Sequence, residues 1–297
     1  MKNAVASRNV RAIDSPLEND HMKEGKMYQE TTEKQDNEGR LTGKQHWENR
    51  WERVKLPAII EPDTPNAVAK EILKIWDQYF PEPEPDEAFH VLEIGGAPGP
   101  FLANMAKYRG YQASAIDYSD VGCEKMEENF NLLDLDVIIY RRDLFDDLTD
   151  LPRFDLVFSM GFIEHFDDLD DVVGRHVNLV RKGGMMVLGV PNFRGISHKV
   201  LSRLTPRLIS MHNLEAMDIN RWDSFESLYG LEPLFKGYIG GFEPKNFRRC
   251  ENKTLKNQTI RLFFKTVRFL VTDPFPFLRS YNSVNWSAYL LGVYRCP

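Results

Sequence analysis

The segment Val91-Leu92-Glu93-Ile94-Gly95-Gly96-Ala97-Pro98-Gly99 decides the fold of this chain. Its first four residues are a short, mainly apolar run that predicts a strand, and the glycines after it allow a tight turn and close approach of a ligand to the backbone. Pro100 suits the first position of a helix, where its missing N–H costs nothing. The segment therefore predicts a strand, a turn and a helix in succession. Taken alone, the pattern also fits a tight turn that binds nothing.

Short apolar runs alternate with amphipathic runs over the rest of the chain. We predict strands at 91–94, 113–116, 137–140, 156–159, 185–190, near 236–240 and at 288–294, with helices at 101–108, 121–130 and 172–180 between them. Such alternation is typical of a parallel sheet covered by helices. The predicted fold is α/β, a doubly wound and mainly parallel sheet with helices on both faces.

The flanking regions differ in composition from this core. Residues 1–43 are polar, of mixed charge and without hydrophobic period, so we expect a disordered tail. Residues 44–85 form an N-terminal helical cap that ends in the proline-rich linker 81–85. The main domain is 86–297, and its segments near 192–222 and 243–284 are expected to be insertions that bind the acceptor of the reaction.

Composition restricts the class of protein. The net charge of −6 argues against a nucleic-acid partner, which usually requires a basic face. The three cysteines are scattered and form no Cys-x-x-Cys pair, which indicates a reducing compartment. Neither a signal peptide nor an apolar run long enough to span a bilayer is evident. We therefore expect a cytoplasmic protein.

Two acids end the strands that follow the glycine-rich turn. Asp117 ends the second strand about twenty residues after the glycines, the position that holds ribose hydroxyls in nucleotide-binding α/β folds. Asp143 ends the third strand, where it could orient an adenine edge. A dinucleotide cofactor is the alternative, but Pro100 breaks the Gly-x-Gly-x-x-Gly pattern, and Pro98 and Pro100 remove two N–H groups that a pyrophosphate needs. The sequence favours a nucleoside ligand without phosphates.

With these residues in place, the chain resembles the class I S-adenosylmethionine-dependent methyltransferases over roughly residues 88–195. The resemblance implies a Rossmann-like sheet of seven strands with the last strand antiparallel. Ala97 stands where the family prefers glycine. The resemblance implies that the cofactor contacts Glu93, Gly95, Gly96, Ala97, Gly99, Asp117, Tyr118, Asp143, Leu144, Met160 and Gly161.

The run Ile163-Glu164-His165-Phe166 after the fourth strand resembles a subgroup that includes ubiquinone-pathway methyltransferases. A hydroxyl acceptor needs a general base, so Glu164, His165 and the later His212 are the candidate catalytic residues. Some members of the subgroup hold a metal here, but Gly161 stands where a further acid would be, so we expect none. In the plainer interpretation, Glu164 and His165 only shape the loop and His212 lies on the surface.

Other features have a structural explanation. His176 falls on an apolar helix face, and the acids at 167–171 favour a helix start. We expect Trp47 or Trp51 to close the cofactor pocket from the cap. Residues 260–271 form an amphipathic helix with basic residues, which predicts either contact with a membrane or lipid, or packing on the sheet with a solvated basic face.

The sequence thus predicts an enzyme that uses S-adenosylmethionine to methylate a small-molecule, glycan or lipid-headgroup acceptor, on oxygen. Three alternatives stay open: an N-methyltransferase, a nicotinamide-dependent oxidoreductase and a non-catalytic cofactor-binding module.

Overall fold

A computed structural model describes residues 10–14, 39–83, 87–242, 244–247, 254–272, 274–275, 277 and 281–297. Eight strands lie in these residues: β1 Val10–Asp14, β2 His90–Ile94, β3 Gln112–Asp117, β4 Val137–Arg141, β5 Phe154–Met160, β6 Val180–Pro191, β7 Glu232–Phe242 and β8 Ser287–Arg295. The α-helices are α1 Lys44–Trp51, α2 Ala67–Tyr79, α3 Pro100–Arg109, α4 Asp120–Leu133, α5 Leu169–Leu179, α6 Gly195–Leu204, α7 Pro206–Ser210, α8 Ile219–Tyr229 and α9 Leu255–Val267.

All eight strands belong to one sheet with the order β1-β4-β3-β2-β5-β6-β8-β7. The strands from β1 to β6 pair in parallel, whereas β8 runs antiparallel to both β6 and β7. The chain moves outward from β2 to β3 and β4, then returns to the other side of β2 as β5. Ligands of such sheets bind at this reversal, beyond the carboxyl ends of the strands. The predicted Rossmann-like class and the antiparallel last strand are confirmed.

The strand count differs from the predicted seven because part of the N-terminal tail is ordered. Strand β1 pairs with β4 in parallel, with Val10 opposite Val137. Arg40 forms an isolated bridge with Phe166, and the N–H of Leu41 donates to the carbonyl of His165 at 2.9 Å. The prediction of disorder is therefore wrong for residues 10–14 and 39–43. Residues 1–9 and 15–38 of that tail lie outside the described residues.

Helices cover both faces of the sheet and give two large cores. On one face, Trp76 of α2 is fully buried, and its ring centroid lies 5.2 Å from that of Phe80 and 5.8 Å from that of Phe158. On the other face, Trp222 of α8 is fully buried and lies against Tyr294 of β8. Helix α2 begins where the side chain of Asn66 accepts the N–H groups of Val68 and Ala69, as an N-cap does. The proline-rich linker after it lies partly outside the described residues.

A third, smaller core joins the two segments that were predicted as insertions. It consists of Leu201 and Leu204 of α6, Phe247 of the short helical turn Pro244–Phe247, and Phe264 of α9. Helix α9 packs through Phe264 on Phe247 and on Phe242 at the end of β7, within the same small core as α6. In the part of the chain that the structure describes, no helix has the length and apolar character needed to cross a membrane.

Candidate active site

The glycine-rich turn has the predicted conformation. Gly95 and Gly99 have φ of 64° and 79°, in the left-handed region that favours glycine. Gly99 forms the N-cap of α3, and Pro100 is its first residue. A side chain at Gly95 would place its Cβ 2.2 Å from the Phe162 ring, so glycine lets this aromatic ring pack directly on the turn.

A cavity of about 560 Å³ opens at the carboxyl ends of β2, β3 and β4. Most of its wall is aromatic or apolar, with carboxylates at two points, which suits the base and ribose of a nucleoside. Its lining residues are Arg40, Thr42, Trp47, Trp51, Ile94, Gly95, Ile116, Asp117, Tyr118, Arg142, Asp143, Leu144, Gly161, Phe162, His165 and Phe166. This cavity, called the nucleoside cavity below, contains six of the residues predicted to bind the cofactor.

Asp117 is the buried acid of the nucleoside cavity, with 6% of its surface exposed. The N–H of Ser119 donates to its Oδ1 at 2.9 Å, which fixes the carboxylate at the end of β3. Burial raises the pKa of Asp117 to about 6, although hydrogen bonds from the backbone of Ser119 and Ala97 oppose this shift. Because its hydrogen bonds come from the backbone and the surrounding wall is mainly apolar, the carboxylate of Asp117 can also accept hydrogen bonds from the hydroxyl groups of a ligand.

Asp143 lies at the other end of the same cavity and is held by a cation. Its carboxylate pairs with the guanidinium of Arg40 and also accepts the N–H of Phe145 at 2.9 Å. The Arg40 guanidinium also lies over the ring of Tyr118, 5.0 Å from its centroid. The N-terminal segment thus forms a wall of the nucleoside cavity.

A second and larger cavity, of about 2780 Å³, adjoins the first and is open to solvent. Its inner wall contains Glu93, Gly96, Ala97 and Met160, the remaining predicted cofactor residues apart from Gly99, and its outer wall includes residues of α6 and α7. Five residues line both cavities and so mark their junction: Trp47, Trp51, Gly95, Gly161 and His165.

The inner wall of the second cavity contains buried acids. Glu93 is 1% exposed, and its Oε2 has no hydrogen-bond partner among the described residues. Burial raises the pKa of Glu93 well above its usual range. Tyr289 of β8 lies near Glu93 and Glu164, and burial together with these two acids raises the pKa of its phenol. A Cβ at Gly96 would lie 2.0 Å from Cδ of Glu93, so the turn is fitted to this carboxyl group.

His165 is held in one tautomer at the junction. Its Nδ1 lies 3.0 Å from the carbonyl of Met211 and 3.0 Å from the hydroxyl of Thr42. Because a carbonyl oxygen only accepts, Nδ1 carries the ring proton and Nε2 keeps its lone pair. Burial, followed by the charge of His212, lowers the pKa of His165 to about 3. The ring is therefore neutral at physiological pH.

His212 approaches from the loop after α7 and has the same tautomer. Its Nδ1 lies 2.6 Å from the carbonyl of Leu208, so its Nε2 also keeps a lone pair. The adjacent N–H of Asn213 donates to the carbonyl of Glu164 at 2.6 Å and ties the two loops together. Burial lowers the pKa of His212. The prediction of a surface histidine does not hold, because His212 is half-buried in the second cavity.

Glu164 completes the cluster with the two histidines. Its Oε1 lies 3.9 Å from Nε2 of His165, and burial raises its pKa to about 8. One metal-ligating atom from each of Glu164, His165 and His212 lies within 4.8 Å of the others, a spacing that suits a divalent cation. Gly161 lies at the same turn and contributes no side chain.

Other predicted residues have structural roles. His176 is fully buried and bonded at both nitrogens, to the Val172 carbonyl at 2.7 Å and the Ser159 hydroxyl at 3.0 Å. Asp168 caps α5 by accepting the N–H of Asp171 at 3.0 Å. Gly99 ends the turn and caps α3 instead of lining either cavity.

Arg40, Thr42 and Tyr289 are among the cavity residues that the sequence did not predict. Arg40 and Thr42 belong to a polar stretch without a hydrophobic period, and no local pattern marks them. Tyr289 was predicted only as part of the last strand. Its position beside Glu93 and Glu164 depends on the register of β8 against β6, in which Tyr289 lies opposite Pro191, and a single sequence does not reveal that register.

Comparison with known proteins identifies the family and the fold. A family model described as a methyltransferase domain matches residues 62–236. The tRNA U34 carboxymethyltransferase of Pseudoalteromonas translucida (strain TAC 125) is 31% identical over 147 residues, which are 47% of this chain and 43% of that protein. The ubiquinone biosynthesis O-methyltransferase of Mesorhizobium japonicum (strain LMG 29417 / CECT 9101 / MAFF 303099) is 30% identical over 110 residues, 36% of this chain and 43% of that protein.

The chain thus spans less than half the length of these curated relatives. Among solved structures, coclaurine N-methyltransferase bound to N-methylheliamine and S-adenosylhomocysteine superimposes with a TM-score of 0.55 at 10% identity, covering 92% of this chain and 89% of that one. This likeness shows the fold. The family match covers more than half of the chain, and the chain therefore belongs to the class I S-adenosylmethionine-dependent methyltransferases.

Proposed function

We propose that this protein transfers the methyl group of S-adenosylmethionine to an oxygen atom of a small-molecule, glycan or lipid-headgroup acceptor. The observation that carries the proposal is the junction of the two cavities at Gly95, Gly161 and His165. A nucleoside in the first cavity and an acceptor in the second would meet there, beside the Glu164, His165 and His212 cluster.

Each part of the cofactor is placed in the proposed site by the chemistry of the residues that would contact it. Asp117 would accept the ribose hydroxyls, and Asp143, held by Arg40, would orient the adenine. Gly95, Gly96 and Ala97 allow close approach of the methionyl end, whose ammonium group would satisfy the partnerless Oε2 of Glu93. Met160 and Gly161 line the cavity beyond it, so the methyl group would point towards the cluster.

Methyl transfer from a sulfonium is an in-line displacement: the acceptor oxygen forms a bond to the methyl carbon while the carbon–sulfur bond breaks. Because the cofactor is already activated, alignment and exclusion of water supply much of the acceleration. A hydroxyl acceptor must also lose its proton. His212, neutral and with a lone pair on Nε2, is the proposed base, and His165 and Glu164 position it.

The three side chains of the cluster would also fit a divalent cation, because two neutral imidazoles and one carboxylate are acceptable donors. If a cation binds, Glu164, His165 and His212 would hold it, and it would lower the pKa of a coordinated hydroxyl group. With Gly161 in place of a further acid, the proposal remains catalysis by a base without metal. A turnover assay with a chelator separates the two mechanisms, since loss of activity that a divalent salt restores would establish the metal.

The first test of the whole proposal is ligand-induced thermal stabilisation. S-adenosylhomocysteine should raise the melting temperature, because a ligand that binds only the native state stabilises it. NAD at the same concentration should leave it unchanged. A shift with NAD and none with S-adenosylhomocysteine would overturn the assignment.

The atom that accepts the methyl group distinguishes the remaining alternatives. An N-methyltransferase needs its amine neutral and aligned but needs no base, so replacement of His212 would leave its turnover nearly intact. A non-catalytic module would bind S-adenosylhomocysteine and show no turnover over a panel of phenols, sugars, amines and lipids.

A further inference from the structure

Helix α9 presents two apolar faces, and only one of them is covered. Phe264 is 6% exposed and packs on Phe247, in the core that also contains Leu201 and Leu204. On the opposite side, Leu255 and Leu262 are 82% and 62% exposed. The helix thus has a second hydrophobic side that the described part of the protein leaves in solvent.

The exposed residues form a continuous feature in the sequence. Nine of the fourteen exposed large hydrophobic side chains in the described residues lie between 255 and 284: Leu255, Leu262, Phe263, Phe269, Leu270, Phe275, Phe277, Tyr281 and Val284. Single exposed apolar residues are normal on a protein surface, but a concentration of this kind marks an interaction site.

The charged residues of α9 and of the turn up to residue 272 are of one sign. Residues 254–272 contain four cations, Lys256, Arg261, Lys265 and Arg268, and no acid, although the whole chain has a net charge of −6. At about 100° per residue, Leu255, Leu262 and Phe263 fall within an arc of about 100°. Lys256 and Lys265 fall about 180° apart, one on each side of that arc.

We propose that this side of α9 with the turn after it, called the α9 face and defined by Leu255, Leu262, Phe263, Lys256 and Lys265, docks on an anionic phospholipid bilayer. An exposed apolar arc between lysines is the pattern of helices that lie in the membrane interface: the apolar residues enter the acyl boundary and the lysines reach the headgroups. A protein partner would not require this one-sided charge, whereas an anionic lipid surface does.

The location of the α9 face relates it to the second cavity. Leu201 of α6 lines that cavity and also belongs to the core that holds Phe264 of α9. The small core of Leu201, Leu204, Phe247 and Phe264 therefore connects α9 to the wall of the proposed acceptor site. Docking would bring the cavity next to the bilayer, where an amphipathic acceptor is concentrated. The docking itself is independent of methyl transfer and is measured without turnover.

The test is sedimentation of the full chain with vesicles of phosphatidylcholine alone and of phosphatidylcholine with phosphatidylglycerol. We expect binding to the anionic vesicles that weakens at high salt, and little binding to the neutral ones. Leu255→Glu with Leu262→Glu should reduce the bound fraction by roughly tenfold or more. Leu132→Glu with Leu228→Glu is the matched control, because these leucines are 56% and 59% exposed on other helices and the charge change is the same.

A second pair of variants tests how much the lysines contribute to vesicle binding. Lys256→Gln with Lys265→Gln should weaken binding on the order of fivefold for each charge removed. Lys74→Gln with Lys182→Gln removes the same charge from exposed positions elsewhere and should change binding far less.

Three results would overturn the proposal. They are absence of wild-type binding to anionic vesicles, equal loss in the matched controls, and a concentration-dependent dimer in light scattering that Leu255→Glu with Leu262→Glu abolishes. The last result would assign the α9 face to a second copy of the chain. All variants change exposed side chains, and retained stabilisation by S-adenosylhomocysteine would show that they fold.

Discussion

The ring of His212 lies against the ring of His165, with 4.5 Å between their centroids, and each ring donates its Nδ1 proton to a backbone carbonyl. The two Nε2 lone pairs are thereby left for other partners. The arrangement gives the cluster two neutral nitrogen bases, because burial lowers the pKa of both histidines, and the charge of His212 lowers that of His165 further.

Replacing His212 by Ala should lower kcat by roughly a hundredfold, the usual range for loss of a general base. The dissociation constant for S-adenosylhomocysteine should change little, since His212 lines only the second cavity. Stopped assays of turnover and calorimetry measure the two effects separately. His90→Ala, at an exposed residue outside both cavities, is the control. Near-normal turnover of the His212 variant would favour an amine acceptor.

The pH dependence of kcat follows from the lowered pKa of His212. The base works in its neutral form, so activity is lost as pH falls through this pKa. Because burial moves the pKa below 6.5, the acidic limb of the profile should lie below pH 6.5. Its disappearance in the His212→Ala variant would assign the limb. A limb above pH 7 in the wild type would contradict this assignment.

Asp117→Ala should weaken cofactor binding by ten- to a hundredfold, from the loss of charge-assisted hydrogen bonds of about 1.5–3 kcal/mol. Folding should persist, because Asp117 ends its strand facing the nucleoside cavity. Calorimetry with S-adenosylhomocysteine measures the effect, and Asp63→Ala, an exposed acid outside both cavities, serves as control. Equal affinities in the two variants would show that Asp117 does not contact the cofactor.

Cofactor affinity should also depend on pH through Asp117. The pKa of about 6 is above the usual value, and in the proposed site the ribose hydroxyls would donate to the ionised form. Affinity should therefore be full above pH 7 and fall by up to about tenfold per pH unit below pH 6, where the free protein is protonated. The Asp117→Ala variant should show a flatter profile over the same range. A wild-type profile that is flat from pH 5 to 8 would refute this linkage.

Gly96→Ala should destabilise the protein by about 1–3 kcal/mol, since the new Cβ would overlap the carboxyl group of Glu93. The cost should be smaller in a Glu93→Ala background, where the overlapping atoms are gone. Chemical denaturation of the four proteins of this double-mutant cycle gives the coupling between the two positions. Strict additivity would mean that the turn relaxes away from Glu93.

The sheet could be predicted well because its signals are local. The glycine-rich turn, the alternating apolar runs and the acids at strand ends each lie within a few residues, and Asp117 and Asp143 line the cavity that was expected. The packing partner of α9 could not be predicted in this way. Its apolar residues occupy two sides, and the contacts of Phe264 with Phe242 and Phe247, which are distant in sequence, decide which side is covered.

Glu164, His165 and His212 were predicted as candidate catalytic residues, but the geometry of their cluster was not predicted. Glu164 and His165 are adjacent in sequence, whereas His212 joins them through the hydrogen bond from Asn213 to Glu164. The ordered part of the tail could not be predicted, because Arg40 gains its partner, Asp143, 103 residues away. Contacts of that separation leave no period in the sequence.

The N-terminal wall of the nucleoside cavity has a practical consequence for dissecting this protein. Arg40, Thr42, Trp47 and Trp51 all precede the first strand of the glycine-rich turn, so a shortened chain that started at His90 would retain every glycine of the turn and both strand-end acids. The nucleoside cavity of such a chain would nevertheless be open on the side that these four residues now cover. His165 would also lose the Thr42 hydroxyl and the Trp47 ring, 4.9 Å away, that border it. A shortened enzyme that contained only the recognisable motifs would therefore keep those motifs but bind the cofactor more weakly.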